Sequence, residues 1–315
     1  MKSPLIEFLD ALDSVNFSAV HESNIKWLSN SPRRIDSVNI LTPFFSKDTS
    51  AGPRQIIALA RFLSSKNVEV HFTLFGNVRS EDVSAFIDTL RYYGLGDSKV
   101  HVISKLGDVD SLPHTTIGMA TYWTTAYPLL FMNNVDAKMY FIQDEEGFFY
   151  PAGVDRYFAE LTYSFGYIGV TNDYVIKDWY GKIMPCFQVP YTFLRVKTRK
   201  DPNSLGEVRK IFTYYRYAPR NAPELIYGVA KELKRLYPSI TTYFVGGYAP
   251  GNYGVSLGWV STEELLRIYE ESDVCLYFMF NIHSGIIPWE CMDAGSVVIT
   301  NRKLNKHPYL IHGYN

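Results

Sequence analysis

Three stretches of the chain set polar and charged residues where they could do chemistry. In YYRYAPRNAPE (Tyr214–Glu224), Arg216 and Arg220 flank a helix start, with Asn221 placed to cap it and Glu224 three residues on to complete a capping box. Two guanidinium groups beside the unpaired N–H groups of a helix N-terminus suit a diphosphate. Surface arginines paired to carboxylates show the same spacing, so spacing alone leaves both roles open.

The second stretch, HSGIIPWECMDAGSVVIT (His283–Thr300), reads as a turn, a helix opening at Pro288 and closing at Gly295, and a buried strand. With Pro288 at the first helical position, Glu290 stands at the third and Ile287 at the cap. Isoleucine cannot cap, so a capping box does not explain Glu290. The helix dipole alone gives a first-turn carboxylate about 0.3–1 kcal/mol, enough to account for any single glutamate. The sharper expectation is that Ser284 and Gly285 offer backbone N–H groups to an anion, while Glu290 leans back towards them and accepts hydrogen bonds from sugar hydroxyls.

The third stretch, YFIQDEEGFFYPAG (Tyr140–Gly153), ends an apolar run with Gln143, Asp144, Glu145 and Glu146, followed by aromatics. Carboxylates at the carboxyl end of a strand lie where ligands bind in an open α/β sheet. A solvated acidic loop is the commoner fate of such a run. Two weaker signals, the acidic triplet Asp108–Asp110 and the lone turn histidine His283, lack context for metal binding or catalysis, and no metal site is expected. There is no P-loop, no HExxH and no nucleophile elbow.

The elements that position these residues alternate regularly. RIDSVNILTPFF reads as a strand. AGPRQIIALARFLSSKN puts Ile56, Leu59, Ala60 and Leu63 on one helical face after a turn at Gly52, and VEVHFTLFG is the next strand. Strand and helix then alternate to Gly181. The charged segment Arg195–Glu207 interrupts the pattern and reads as a linker. Alternation resumes with RKIFTYYRY, APELIYGVAKELKRLY, TTYFVGG, STEELLRIYEES and DVCLYFM, with Ser261 capping the second of those helices and Glu264 completing its box. The expected organisation is a helical extension over 1–33, a Rossmann-like domain over 34–194, the linker over 195–207 and a second Rossmann-like domain over 208–315. The fold class is α/β, two such domains facing across a cleft. The sequence stops before any closing helices, which suggests a piece of a longer protein.

Composition narrows the partners. Lysine and arginine number 31 against 32 aspartate and glutamate, so no polybasic surface marks a nucleic-acid binder. The three cysteines, Cys186, Cys275 and Cys291, form no CxxC pair; two of them sit in apolar runs and read as small buried hydrophobes, which points to a reducing compartment. The amphipathic, acidic N-terminus is unlike a signal peptide, and no apolar run reaches the length of a membrane span.

These stretches resemble GT-B-fold glycosyltransferases of the family-4 type, nearest to the rhamnosyltransferases of bacterial surface polysaccharides. The match runs from about Arg34 onward. Gln143, Asp144 and Glu146 resemble a QDxE segment, PRNAPEL and LGWVSTEELLRIYEESDVCL resemble donor-binding segments, and GIIPWECMDAGSVVITN resembles the final glutamate-bearing helix. The resemblance implies a nucleoside diphosphate sugar donor, dTDP-rhamnose among them, with Glu290 on the ribose and Trp259 and Val260 at the base. Many relatives carry a further glutamate eight residues upstream; here that position is Ile282. Arg216, Arg220, Ser284 and Gly285 would hold the diphosphate without a metal or other cofactor, and Asp144 and Glu146 would activate the acceptor. The acceptor implied is a glycan or lipid-linked glycan, in the cytoplasm or at the inner face of a membrane, which admits peripheral membrane contact. The rivals are a GT-B epimerase or phosphorylase and a catalytically silent glycan- or nucleotide-binding module of a larger protein.

Overall fold

The computed structural model describes residues 4–30, 34–47, 50–201, 206–282 and 285–301. The chain divides into two compact units, one of Met1–Gly147 with Ala152–Pro190, the other of Phe148–Pro151 with Tyr191–Asn315.

The first unit carries β1 (Ser37–Thr42), β2 (Glu69–Phe75), β3 (Lys99–Ile103), β4 (Thr115–Ala120), β5 (Val135–Ile142), β6 (Ile168–Thr171) and β7 (Cys186–Gln188). They form one parallel sheet in the order β3-β2-β1-β4-β5-β6-β7. This is the doubly wound order, whose topological switch point lies between β1 and β4. Strands β1 and β4 are buried almost throughout, as expected of strands covered on both faces.

Helices α1 (Pro4–Leu12) and α2 (Phe17–Ser29) were expected as an extension, yet they are built into this unit. Phe8 stacks on Tyr127 at 4.1 Å, and Glu7 accepts a hydrogen bond from the Leu106 N–H at 2.9 Å. Asn24 accepts from the Lys138 N–H and donates to the Gly166 carbonyl, pairing backbone groups beside β5. The unit is completed by α3 (Ala51–Ser65), α4 (Ser80–Tyr92), α5 (Trp123–Phe131), α6 (Val154–Leu161) and α7 (Tyr174–Tyr180).

The second unit repeats the design with five parallel strands: β8 (Lys210–Tyr214), β9 (Thr241–Val245), β10 (Val255–Gly258), β11 (Val274–Tyr277) and β12 (Val297–Thr300). Their order is β10-β9-β8-β11-β12, so the switch point lies between β8 and β11. Its helices are α8 (Pro223–Leu236), α9 (Thr262–Glu271) and α10 (Ile287–Asp293). Among the described residues no helix is long and apolar enough to cross a membrane.

The segment expected as a linker runs along this unit in its described part. The Lys197 and Thr198 N–H groups donate to Glu270, the Lys200 N–H donates to the Ala294 carbonyl, and Lys200 and Arg199 pair with Asp273 and Asp293. Side chains of α9 and α10 thus satisfy a stretch that has no sheet partner, which holds it as a strap.

Candidate functional site

In the second unit the groups that could bind a ligand come from the carboxyl ends of β8, β9, β10 and β11. Strand β8 ends at Tyr214, and the Tyr215 N–H then donates to the Val245 carbonyl at 2.8 Å, which carries the chain across the sheet end. Arg216 follows, half-buried, with its guanidinium 5.8 Å from the ring centre of Trp259. That ring is 69% exposed, so it is free to stack on a flat ligand. Val260, next to it, is partly buried against the core. Tyr248 lies against Gly258 beside Trp259 and is equally exposed. Its place was not foreseen, since the loop after β9 gives no periodic signal.

Arg220 sits in a 3-10 turn, Pro219–Asn221, before α8. Its backbone carbonyl accepts from the Phe280 N–H at 2.6 Å, tying this turn to the chain after β11. Its guanidinium lies 4.0 Å over the ring of Phe149, and its charge acts on the buried hydroxyl of Tyr277. Burial pushes the Tyr277 hydroxyl well above the ordinary tyrosine value, and Arg220 opposes that rise. The expected cap at Asn221 is corrected. The cap of α8 is Ala222, in the left-handed region at φ 46°, and Asn221 is buried with its Oδ1 unpartnered. Pro223 at the first helical position excludes the right-handed conformation from the residue before it, which displaces the cap by one.

Gly285 is buried against Tyr277. A Cβ added there would stand 2.3 Å from the Tyr277 hydroxyl, and the φ of +70° is one that side chains rarely adopt. Only glycine fits this place. Ser284 lies outside the described residues, as does His283. Helix α10 begins one residue earlier than the sequence implies, with Ile286 at its cap.

The structure places Glu290 differently from the sequence expectation. Its side chain is fully buried. Oε1 accepts from the Leu194 N–H at 3.0 Å, and Oε2 accepts from the Tyr269 hydroxyl at 3.1 Å. The carboxyl therefore ties the strap, through Leu194, to Tyr269 of α9. Arg216, Trp259 and Val260 are gathered near the sheet end, and Arg220 and Gly285 meet at Tyr277, while Glu290 faces the chain's own donors.

In the first unit Asp144, Glu145 and Glu146 follow β5, and all three are buried rather than solvated. Glu146 Oε2 accepts from the Trp123 N–H at 2.5 Å and from the Tyr140 hydroxyl at 2.9 Å. Trp123 opens α5, so Glu146 serves as that helix's cap from outside the helix. Burial raises its pKa to about 8, against the pull of both donors, so the group keeps its proton at neutral pH. A proton-holding, enclosed acid is not a base presented to a substrate. Asp144 accepts from the Glu145 N–H through Oδ1 at 2.7 Å. Gly52, in the first turn of α3, faces Gln143. The triplet at Asp108–Asp110 forms a 3-10 turn, where Asp108 accepts from the Ser104 and Lys105 N–H groups.

Comparison with known proteins agrees with this architecture. No family model matches the chain. The chain is 30% identical over 297 residues to the O-antigen biosynthesis protein RfbC of Myxococcus xanthus, covering 90% of this chain and 23% of that protein. It thus spans less than a quarter of the length of this curated relative. Among solved structures, Staphylococcus aureus TarM, crystallised with fondaparinux, alpha-GlcNAc-glycerol and UDP, superposes with a TM-score of 0.64 at 8% identity, covering 84% of this chain and 85% of TarM. The pneumococcal O-GlcNAc transferase GtfA, in complex with UDP and GlcNAc, gives 0.59 at 9% identity, covering 85% of this chain and 84% of GtfA. At such identities the likeness is one of fold, and the fold is that of GT-B glycosyltransferases.

Proposed function

We propose that the protein is a glycosyltransferase that moves a hexosyl or 6-deoxyhexosyl group from a nucleoside diphosphate sugar to a glycan acceptor. The observation that carries this reading is the cluster at the carboxyl ends of the second sheet. It sets two arginines and an exposed tryptophan at the crevice where open α/β sheets bind nucleotides. Trp259 and Val260 would take the base, and Arg216, Arg220 and the first turn of α8 the diphosphate. Fold likeness to UDP-bound glycosyltransferases and identity to an O-antigen biosynthesis protein support the donor class and polysaccharide context. A rhamnosyl donor rests on the sequence resemblance alone.

In transfer, the bond from the sugar's anomeric carbon to the diphosphate breaks, and its electron pair leaves with the diphosphate. The acceptor oxygen bonds to the same carbon and gives up its proton. Guanidinium groups stabilise the leaving charge, and they are fixed before the reaction begins. Asp144 is our assignment for the acceptor proton, since Glu146 already holds one. Glu290 acts in this scheme by fixing the strap and Tyr269; a direct ribose contact would require its burial to be relieved.

Transfer, or hydrolysis of the donor when acceptor is withheld, is expected to survive EDTA, because guanidinium groups can replace a divalent ion at the diphosphate. Release of UDP or dTDP from a panel of nucleotide sugars measures this, and loss of turnover restored by manganese would contradict it. A chain that binds nucleotide yet turns over no donor would be the silent binding module instead. The Arg220→Ala variant should weaken nucleoside diphosphate binding by about 1.5–3 kcal/mol, the scale of hydrogen bonds to charged groups, and leave nucleoside binding nearly unchanged. Equal losses for nucleoside and diphosphate would remove Arg220 from the phosphate site.

A further inference from the structure

Two amides with buried, unpartnered oxygens follow neighbouring strands at the carboxyl end of the first sheet. Strands β5 and β6 pair in register up to Ile142 and Thr171, so Gln143 and Asn172 are the next step of the two chains. Asn172 is 2% exposed and donates through Nδ2 to Gln55 of α3 at 3.3 Å, while its Oδ1 has no partner. The buried Oε1 of Gln143 has no partner either. It lies 3.4 Å from where a Cβ on Gly52 would stand, in the first turn of α3. That turn carries N–H groups that helical bonding leaves unused. A buried polar atom left without a hydrogen bond costs roughly 1–3 kcal/mol, so two at one sheet end call for an occupant.

We propose that Gln143 and Asn172, with the first turn of α3, form a subsite for the hydroxyl groups of a neutral sugar. A hydroxyl donates to an amide oxygen and accepts from a helix N–H in the same place. Exchanging oxygen and nitrogen in either amide would leave an unpartnered NH₂ there, and a hydroxyl satisfies that too. An anion fits badly, because the amide oxygens oppose it and the next residues along both strands are Asp144 and Asp173. Asp173 is spent on the α7 cap, where it accepts from the Val175 and Ile176 N–H groups. The occupant expected is the acceptor glycan. Only that assignment rests on the glycosyltransferase reading; the preference for sugar hydroxyls does not.

The test uses the whole chain with methyl α-L-rhamnoside, methyl α-D-mannoside and methyl α-D-glucoside as probes, followed by saturation-transfer NMR titration. At least one glycoside should bind. Gln143→Ala and Asn172→Ala should each raise its Kd roughly tenfold, the size of one to two neutral hydrogen bonds. Gly52→Ala is the control for folding. Alanine is the better helix residue, so the melting temperature should hold or rise, while the added methyl occupies the space before Gln143 and should raise the Kd similarly. Failure of the native chain to bind any glycoside, or an unchanged Kd in all three variants, overturns the subsite. If that happens while UDP or dTDP still binds and donor is turned over, only this inference falls. If the glycoside binds but no nucleotide does, the transferase reading falls and the subsite stands.

Discussion

Glu290→Ala lowers the stability of the second unit by about 3–5 kcal/mol, the cost of removing one partner from a buried polar cluster. The carboxyl is fully buried and accepts from the Leu194 N–H and the Tyr269 hydroxyl. Truncation removes that acceptor from both and opens a cavity beside Tyr269, itself part of the buried core. Glu290→Gln keeps one amide oxygen and turns an NH₂ towards the other donor, so it should cost about 1–2 kcal/mol. Urea unfolding of the two variants, with nucleoside diphosphate affinity measured beside it, decides the matter. Wild-type stability in Glu290→Ala with a large loss of affinity would return Glu290 to the ribose, where the sequence resemblance puts it.

Stability of the first unit should fall as pH rises from 5 to 8, by about 3–5 kcal/mol, because of Glu146. Unfolded, its carboxyl releases its proton near the ordinary value of 4.5; folded, burial raises this to about 8. Between those values the folded chain holds a proton that the unfolded chain has lost, so the contribution is complete below 4.5 and gone above 8. Glu146→Gln should keep the hydrogen bonds from Trp123 and Tyr140 through its amide oxygen, and it should flatten this slope. Urea melts of both proteins at steps from pH 5 to 9 check it. Parallel curves across that window would show that Glu146 titrates normally and is open to solvent.

The alternating layers were legible because parallel strands covered on both faces read as unbroken apolar runs, as β11 does. The strands missed were β7, three residues long and half exposed, and β10, whose Ser256 and Gly258 break the apolar run. The α1 and α2 helices were legible as helices. Their packing depends on contacts such as Phe8 with Tyr127, which no local window contains.

The site divides the same way. Arg216 and Arg220 were singled out by their place between a strand end and a helix start, whereas Trp259 was singled out by the family resemblance alone. The burial of Glu290 was invisible, because the Leu194 N–H and Tyr269 hydroxyl that it accepts from lie 96 and 21 residues away. A helix dipole was the largest effect a local argument could see, and a buried hydrogen-bonded carboxyl outweighs it. The acidic run after β5 misled in the same manner. Glu146 was expected at the ligand crevice, as an acceptor-activating carboxylate or in a solvated acidic loop, and Trp123 and Tyr140 enclose it instead.

The central claim is that the second unit binds a nucleoside diphosphate at the carboxyl ends of β8, β10 and β11. Crystals of the whole chain soaked with UDP and with dTDP test it most directly. The account predicts density with the base against Trp259 and the diphosphate within hydrogen-bond reach of Arg216 and Arg220. Nucleotide found solely in the first unit, or none at millimolar concentration, would contradict it.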